Sequence, residues 1–374
     1  MAELRTDSPN FGFGFMRLPR LEDGKTIDIE QVKQMVDVFM KSGFVYFDTA
    51  WGYPGSEEAL RQSLVERYPR DSFLIATKLS MFGGELTREE AEARIDTSLQ
   101  RLGTDHVDYY LLHNVSGDLK QTCEDYELWD YVKKLKADGK VRHYGFSCHD
   151  TPENLDMLLT KHPDVEFVQL QINYFDWNNP EVRSREMYEV ARKHNKPIIV
   201  MEPVKGGVLA NSLPESAQKV LAEANPDASY ASWALRYVAS LPGIRVILSG
   251  MSTLEQVEDN VTFMANIVPL SDAEKAVVEK AREAIASVEL IGCTACEYCM
   301  KGCPMGIPTP RIINALNQYA QFPDIGGAKR RYGQATGRSG VKASDCIKCG
   351  ICEDACPQHL PIRDLLDRAS ELFE

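Results

Sequence analysis

Three features are missing from this 374-residue sequence. No apolar run reaches the roughly 18 residues a membrane helix requires; the most apolar stretch, 230–250, is broken by Arg236 and Arg245. The opening carries Glu3, Arg5 and Asp7 and no apolar core segment, so no secretory signal is expected. Basic excess is absent too: 42 Lys and Arg face 55 Asp and Glu, a net charge of −13. That balance argues against a general nucleic-acid or anionic-membrane partner, because phosphate must be met by clustered cations. The expectation is a soluble, cytoplasmic chain with no nucleic-acid and no membrane partner. With 44% hydrophobic residues it can fill one large core or two to three average ones.

Cysteine is scarce and then abundant. Only Cys123 and Cys148 precede residue 293, and the other eight follow as Cys293, Cys296, Cys299, Cys303 and Cys346, Cys349, Cys352, Cys356. Cytosolic reductants would keep disulfides open, so the cluster reads as metal-binding. Both runs spell C-x2-C-x2-C-x3-C-P, the bacterial ferredoxin spacing for 4Fe-4S binding. Tight x2 turns let three thiolates cap three corners of one cuboidal cluster. The fourth, beyond the x3 step and followed by Pro304 or Pro357, points to the other cluster. One cluster is therefore expected on Cys293, Cys296, Cys299 and Cys356, and a second on Cys346, Cys349, Cys352 and Cys303. Structural zinc is the competing reading of paired C-x2-C units. The 42-residue spacer from Cys303 to Cys346 leaves room for a helix near 309–321 and suggests a helical cluster domain. Residues 321–340, rich in Gly and Arg, read as a loop, and 362–373 as a helix.

Ahead of the cysteines, short apolar runs alternate with amphipathic stretches. The candidate strands are 11–15, 44–47, 73–77, 107–112, 141–147, 167–172, 198–201 and 246–249. Helix signals separate them: Asp28 before Ile29, Val32, Val36 and Phe39; a Thr87–Glu90 capping box; Thr151-Pro152; a Thr253–Gln256 box; and Ser271 with Glu274. Such alternation implies a mainly parallel sheet, and eight units closing on themselves make a (β/α)8 TIM barrel. An open doubly wound sheet is the rival layout. Asp48, Lys78, His113 and Ser147 each fall at the carboxyl end of a different strand, where barrel enzymes keep their chemistry, and this favours the barrel. Charge becomes balanced from Glu289 onward, so the chain divides into a barrel, 1–288, and a small, mainly helical ferredoxin-like iron–sulfur domain, 289–374.

Asp48 in Phe47-Asp48-Thr49-Ala50, Tyr53 in Trp51-Gly52-Tyr53, Lys78 in Ala76-Thr77-Lys78 and His113 in Leu111-Leu112-His113 together resemble the catalytic tetrad of the aldo-keto reductases. The stretch 11–19 is similar to that family's opening, and Gly55-Ser56-Glu57-Glu58 to the segment after its tyrosine. The resemblance covers about residues 9–287, and the tail resembles the family's iron–sulfur branch. It implies reduction of a carbonyl, or oxidation of an alcohol, on a small-molecule substrate with NAD(P)H. Tyr53 would be the proton donor, Lys78 the modulator of its pKa, Asp48 the partner of Lys78 and His113 the donor that orients the carbonyl. A neighbouring ammonium favours the phenolate, and lowering a tyrosine by about three pH units represents ~4 kcal/mol of charge interaction. Trp51, Cys148, Tyr174 and Trp177 are candidates for the pocket wall or for plain packing.

For the nicotinamide, the resemblance implies Ser147 and Gln171 at the ring amide and Asn260 near the adenine. Cys148 stands where the family has Asn, and Met201 stands where a stacking aromatic is usual. The family's cations for a 2′-phosphate fall at Gly250 and Gln256, and no Lys or Arg lies between Arg245 and Lys275. NAD, weakly bound NADP and a different electron donor all stay open. Clusters that pass single electrons are not needed for hydride transfer. A second reading is therefore a redox enzyme whose clusters relay electrons from a ferredoxin or flavodoxin to the barrel. A third is a non-enzymatic electron carrier or redox sensor.

Overall fold

The structure, a computed structural model, describes residues 2–5, 9–81, 86–337 and 339–374. Eight strands close in chain order into one barrel. They are β1 (Asn10–Gly14), β2 (Tyr46–Asp48), β3 (Leu74–Leu79), β4 (Val107–Leu112), β5 (Val141–Cys148), β6 (Phe167–Gln171), β7 (Ile198–Met201) and β8 (Ile244–Ser249). All pairings are parallel, and β8 returns to β1 with Phe11 beside Ile247 and Phe13 beside Ser249. That last pairing disposes of the open sheet.

Buried on both faces, the strands read as nearly continuous apolar runs. Their alternation sorts them into two layers. One phase sends Tyr46, Leu74, Ala76, Leu111, Phe167, Ile199, Val246 and Leu248 into a shared buried cluster that fills the barrel. The other phase faces the helices. Phe11, Phe13 and Phe47 meet Phe39, with ring centroids 5.2–5.5 Å apart. Phe39 belongs to the helix Ile29–Lys41, whose buried Val32, Met35, Val36 and Phe39 keep helical spacing. The expected caps form at Asp28, Thr87 and Thr151, and Ser271 and Glu274 bond reciprocally. At Thr253 only half the box closes, because Gln256 Oε1 accepts from Ser252 N instead.

By compactness the chain forms two units, Met1–Gly207 with Ala228–Lys275, and Val208–Asp227 with Ala276–Glu374. The second has its own core, in which Ile307, Ile312, Leu316, Tyr332, Ile362, Leu366 and Phe373 surround Cys299. The helices expected at 309–321 and 362–373 are both there. The loop expected over 321–340 is mostly a helix, Ile325–Gly337. Its glycines lower helix propensity, but Ala328, Tyr332, Ala335 and Thr336 form a buried stripe, and tertiary packing outweighs propensity. Tyr332 is further fixed because its hydroxyl accepts from Ala343 N at 2.8 Å and bonds Glu374. Arg338, in the same stretch, lies outside the described residues. No helix among the described residues is long and apolar enough to cross a membrane.

Candidate active site

The inward phase of each strand decides which side chains meet at the barrel mouth. Asp48 lies two residues beyond Tyr46, Lys78 two beyond Ala76, His113 two beyond Leu111 and Gln169 two beyond Phe167. Polar residues thus replace the apolar filling at the carboxyl ends of the strands. Lys78 is 1% exposed and Asp48 5%. The ammonium donates to Asp48 Oδ1 at 2.5 Å and to Thr49 O at 2.7 Å. Across the barrel, Gln169 Nε2 donates to Asp48 Oδ2 at 3.1 Å, so both carboxylate oxygens are engaged.

Tyr53 comes from the turn after β2. Its N–H donates to Ala50 O, and Gly55 at φ +74 lets the chain enter the helix Ser56–Leu60. Lys78 Nζ lies 5.1 Å from the Tyr53 ring centre. The His113 ring stands edge-on to Tyr53, centroids 5.8 Å apart. All four tetrad residues are therefore in one place.

Their protonation states follow from burial and charge. Burial opposes the Lys78 charge, but Asp48 and Tyr53 outweigh it and hold the ammonium above the ordinary lysine value. Burial, helped by the Lys78 charge and His149, pushes His113 down to about 3, so the imidazole is neutral. Tyr53 departs from expectation. Burial raises it above the ordinary value of 10 and prevails over the lowering by Lys78 and Arg17, with Asp48 and Glu202 adding to the rise. The ammonium moderates this phenol without making it acidic.

The residues implied for a nicotinamide are in contact with other protein groups. Ser147 Oγ accepts from Asn114 N at 2.8 Å. Gln171 Nε2 donates to the fully buried Asp176 at 2.8 Å. Asn260 Nδ2 donates to Ser249 Oγ at 3.0 Å. Asn114 Oδ1 is buried with no hydrogen-bond partner among the described residues, an acceptor that a carboxamide could use. Cys148 is buried, its thiol pushed up to about 11 by burial, and Tyr174 is equally buried, so both pack. Trp51 lies under the guanidinium groups of Arg94 and Arg101, at 3.6 and 5.1 Å. Trp177 packs on Tyr188 and Tyr237.

Several residues escaped the sequence reading. Gln169 is one, though a polar residue in the inward phase of β6 was a usable signal. Arg17 and Glu202 are two more. They pair at 2.9 Å, and a Cβ on Gly206 or Gly250 would touch the Arg17 guanidinium at 3.4 or 3.9 Å, so Arg17 links the ends of β1, β7 and β8. Beyond β7, Glu202 and Lys205 take left-handed φ values of +57 and +48. They are held there by Asn173 Nδ2, which donates to Glu202 O, and by the Lys205–Asp176 ion pair of 2.7 Å. Left-handed non-glycine residues gather at functional sites, and sequence carries no mark of them.

The two cysteine runs repeat one backbone. Ala295 and Glu297 have φ of +53 and +63, matching Lys348 and Gly350 at +58 and +85; Gly306 and His359 match at +68 and +51. Each run contains a short helix, Tyr298–Lys301 or Ile351–Asp354, that carries its third cysteine. Cys293, Cys296, Cys299 and Cys356 line one cavity, while Cys303, Cys346, Cys349 and Cys352 line another. Thiols face both cavities in the crossed pattern that the x3 steps imply. Among the described residues, no three His, Cys, Asp or Glu side chains converge tightly enough for one metal ion. Four thiolates around a cubane can stand farther apart, because each binds a different iron.

Comparison with known proteins bears on both parts. Residues 10–283 match the model of the Aldo/keto reductase family, and residues 292–360 that of the 4Fe-4S dicluster domain. The chain is an oxidoreductase that belongs to the aldo/keto reductase family and carries a 4Fe-4S dicluster domain. It is 25% identical over 300 residues to the uncharacterized oxidoreductase YqkF of Bacillus subtilis, spanning 72% of this chain and 90% of that protein. The fold is shared with aldo-keto reductase AKR11C1 from Bacillus halodurans (TM-score 0.60, 24% identity, 75% of this chain and 95% of that one). It is shared also with an aldo-keto reductase from Klebsiella pneumoniae in complex with NADPH (TM-score 0.57, 23% identity, 73% and 90%).

Proposed function

We propose that the barrel interconverts a carbonyl and an alcohol on a small molecule, with NAD(P)H as the partner in hydride transfer and Tyr53 as proton donor. The observation that carries this reading is Lys78, buried between the Asp48 carboxylate and the Tyr53 phenol at the carboxyl ends of the strands. Bound NAD(P)H would supply the hydride, and the remaining work falls to this chain. Neutral His113 donates a hydrogen bond to the substrate oxygen and fixes its direction. Tyr53, protonated at neutral pH, gives its proton to that oxygen as negative charge develops there. Lys78 then faces the phenolate left behind, while Asp48, Thr49 O and Gln169 keep the ammonium charged and in place. Ser147, Gln171, Asn260 and the spare acceptor of Asn114 would hold the nicotinamide. Arg17 places a cation beside Gly250 at the end of β8, where the sequence itself has no Lys or Arg between Arg245 and Lys275.

Tyr53→Phe tests the proposal. It should cost about 10²- to 10⁴-fold in kcat/KM, the range for a lost general acid, while dinucleotide binding followed by fluorescence stays unchanged. Turnover equal to the parent enzyme would remove Tyr53 from the mechanism. Two observations favour a second reading, in which electrons arrive singly through the clusters: the two cysteine-lined cavities, and the missing cations after β8. Anaerobic turnover with NADH, NADPH or a reduced ferredoxin as sole donor separates the readings.

A further inference from the structure

The segment between the two cysteine runs has a charge unlike the rest of the chain. Between Glu297 and Asp345 there are seven Lys or Arg (Lys301, Arg311, Lys329, Arg330, Arg331, Arg338 and Lys342) against one acid, Asp324, in a chain of net charge −13. The helices Thr309–Gln321 and Ile325–Gly337 contain no acidic residue. Arg311, Lys329, Arg330 and Arg331 are exposed on them. Arg330 lies 3.9 Å from Asp324, and Arg331 donates to Asn314 Oδ1. Among the described residues, Arg311, Lys329 and Arg331 have no acidic partner. Maintaining so many like charges together is unfavourable for the fold alone, because each repels its neighbours.

These two helices border a groove whose walls include Arg311, Asn314, Arg331 and Gln334. One end of it reaches Ala295 and Glu297, which belong to the first cysteine run. Glu297 and Pro310 line both the groove and the cavity of Cys293, Cys296, Cys299 and Cys356. A single layer of side chains therefore separates the basic groove from that cysteine cavity, and Cys296 is itself exposed.

We propose that this basic groove docks a small acidic protein with a one-electron centre near its own surface, and that electrons pass between that centre and the Cys293–Cys296–Cys299–Cys356 cluster. Charge complementarity selects the partner and adjacency to the cavity gives the contact its use. Opposite fields steer the encounter of two otherwise anionic proteins and orient the productive face. One electron leaves the reduced carrier and one enters the cluster, with no bond made or broken and no proton moved. The proposal is independent of Tyr53 and of the carbonyl chemistry.

The test uses the full-length, cluster-loaded protein under anaerobic conditions, with a small acidic ferredoxin as probe. Binding is followed by calorimetry, and cluster reduction by stopped-flow absorbance. Association should weaken as ionic strength rises past the point where the Debye length falls to about 8 Å. The double variant Arg311→Glu/Arg331→Glu should bind at least about tenfold more weakly and be reduced correspondingly more slowly, the scale for reversed charges that steer association. Iron content and visible spectrum, measured on the same samples, should match the parent. Lys41→Glu, a charge reversal on the barrel, should bind like the parent, and so should Tyr53→Phe. Equal affinity in the double variant would overturn the proposal, as would salt-independent binding. So would tighter binding to duplex DNA or to phosphatidylserine vesicles than to the ferredoxin.

Discussion

The Tyr53 hydroxyl sits between two opposing influences, loss of water around the phenol and the positive field of Lys78. The sequence offers both ingredients, but their balance depends on how deeply the ring is buried. In the folded chain burial prevails, and the phenol lies above the ordinary value of 10. The sign has a consequence for each direction of the reaction. Carbonyl reduction needs the protonated phenol, which is present throughout neutral and mildly alkaline pH. Alcohol oxidation needs the phenolate, whose fraction rises tenfold with each pH unit below the pKa. The kcat/KM for reduction should accordingly stay level through neutral and mildly alkaline pH, with the midpoint of its fall above the ordinary tyrosine value. That for oxidation should climb across the same range by about tenfold per unit, as base catalysis by a largely protonated group requires. His113, held at about 3, adds no step near neutrality. Steady-state pH profiles in both directions check this, and an oxidation rate that levels off near pH 7 would mean a phenol far more acidic than its surroundings give.

At the scale of elements, glycine shows how position decides what a residue does. Gly145 in β5 faces Phe167 in β6, and a Cβ there would lie 2.4 Å from Phe167 O and 2.8 Å from its ring. The close approach holds the register that places Ser147 beside Gln169, and Gln169 in turn holds Asp48. Gly145→Ala should cost about 1–3 kcal/mol or more, as overpacking does, and should lower activity as the Gln169–Asp48 bond shifts. Gly333 lies in the helix Ile325–Gly337 with nothing within 4 Å of its would-be Cβ, so Gly333→Ala should stabilise by roughly 0.5–1 kcal/mol. Urea midpoints read both signs. The same contrast explains what was legible beforehand. The barrel strands and the caps at Asp28, Thr87 and Thr151 are local patterns, and they could be read from neighbouring residues. The helix over 325–337 could not, because its glycines and arginines look like a loop until Ala328 and Tyr332 find a core contributed from distant sequence. Asp48, Lys78 and His113 were visible because strand alternation places them at the ends of strands, and Tyr53, in the turn after β2, through the resemblance of Trp51-Gly52-Tyr53 to the family's motif. Arg17, Glu202 and the left-handed turn after β7 were hidden, since they depend on long-range pairing and on backbone angles that residue type does not announce.

For the molecule as a whole, the tail depends on a division of labour between distant cysteines. Each run supplies three thiols to one cavity and a fourth to the other, so neither cluster site is complete within one stretch of chain. The backbone repeat at 295–306 and 348–359 presents the two sets as near copies, which makes the crossing easy to overlook. Pairwise substitution reveals it, because two changes in one site remove the same cluster, whereas changes in different sites remove both. Cys356→Ala combined with Cys296→Ala should leave about four of eight irons, no fewer than either single variant leaves. Cys356→Ala combined with Cys349→Ala should leave close to none, although these two residues share one run. The converse holds for Cys303, which should be additive with Cys296→Ala and redundant with Cys349→Ala. Iron and sulfide counts on anaerobically prepared protein decide the matter. If Cys356 instead proves redundant with Cys349, each run builds its own cluster, and the crossed assignment fails.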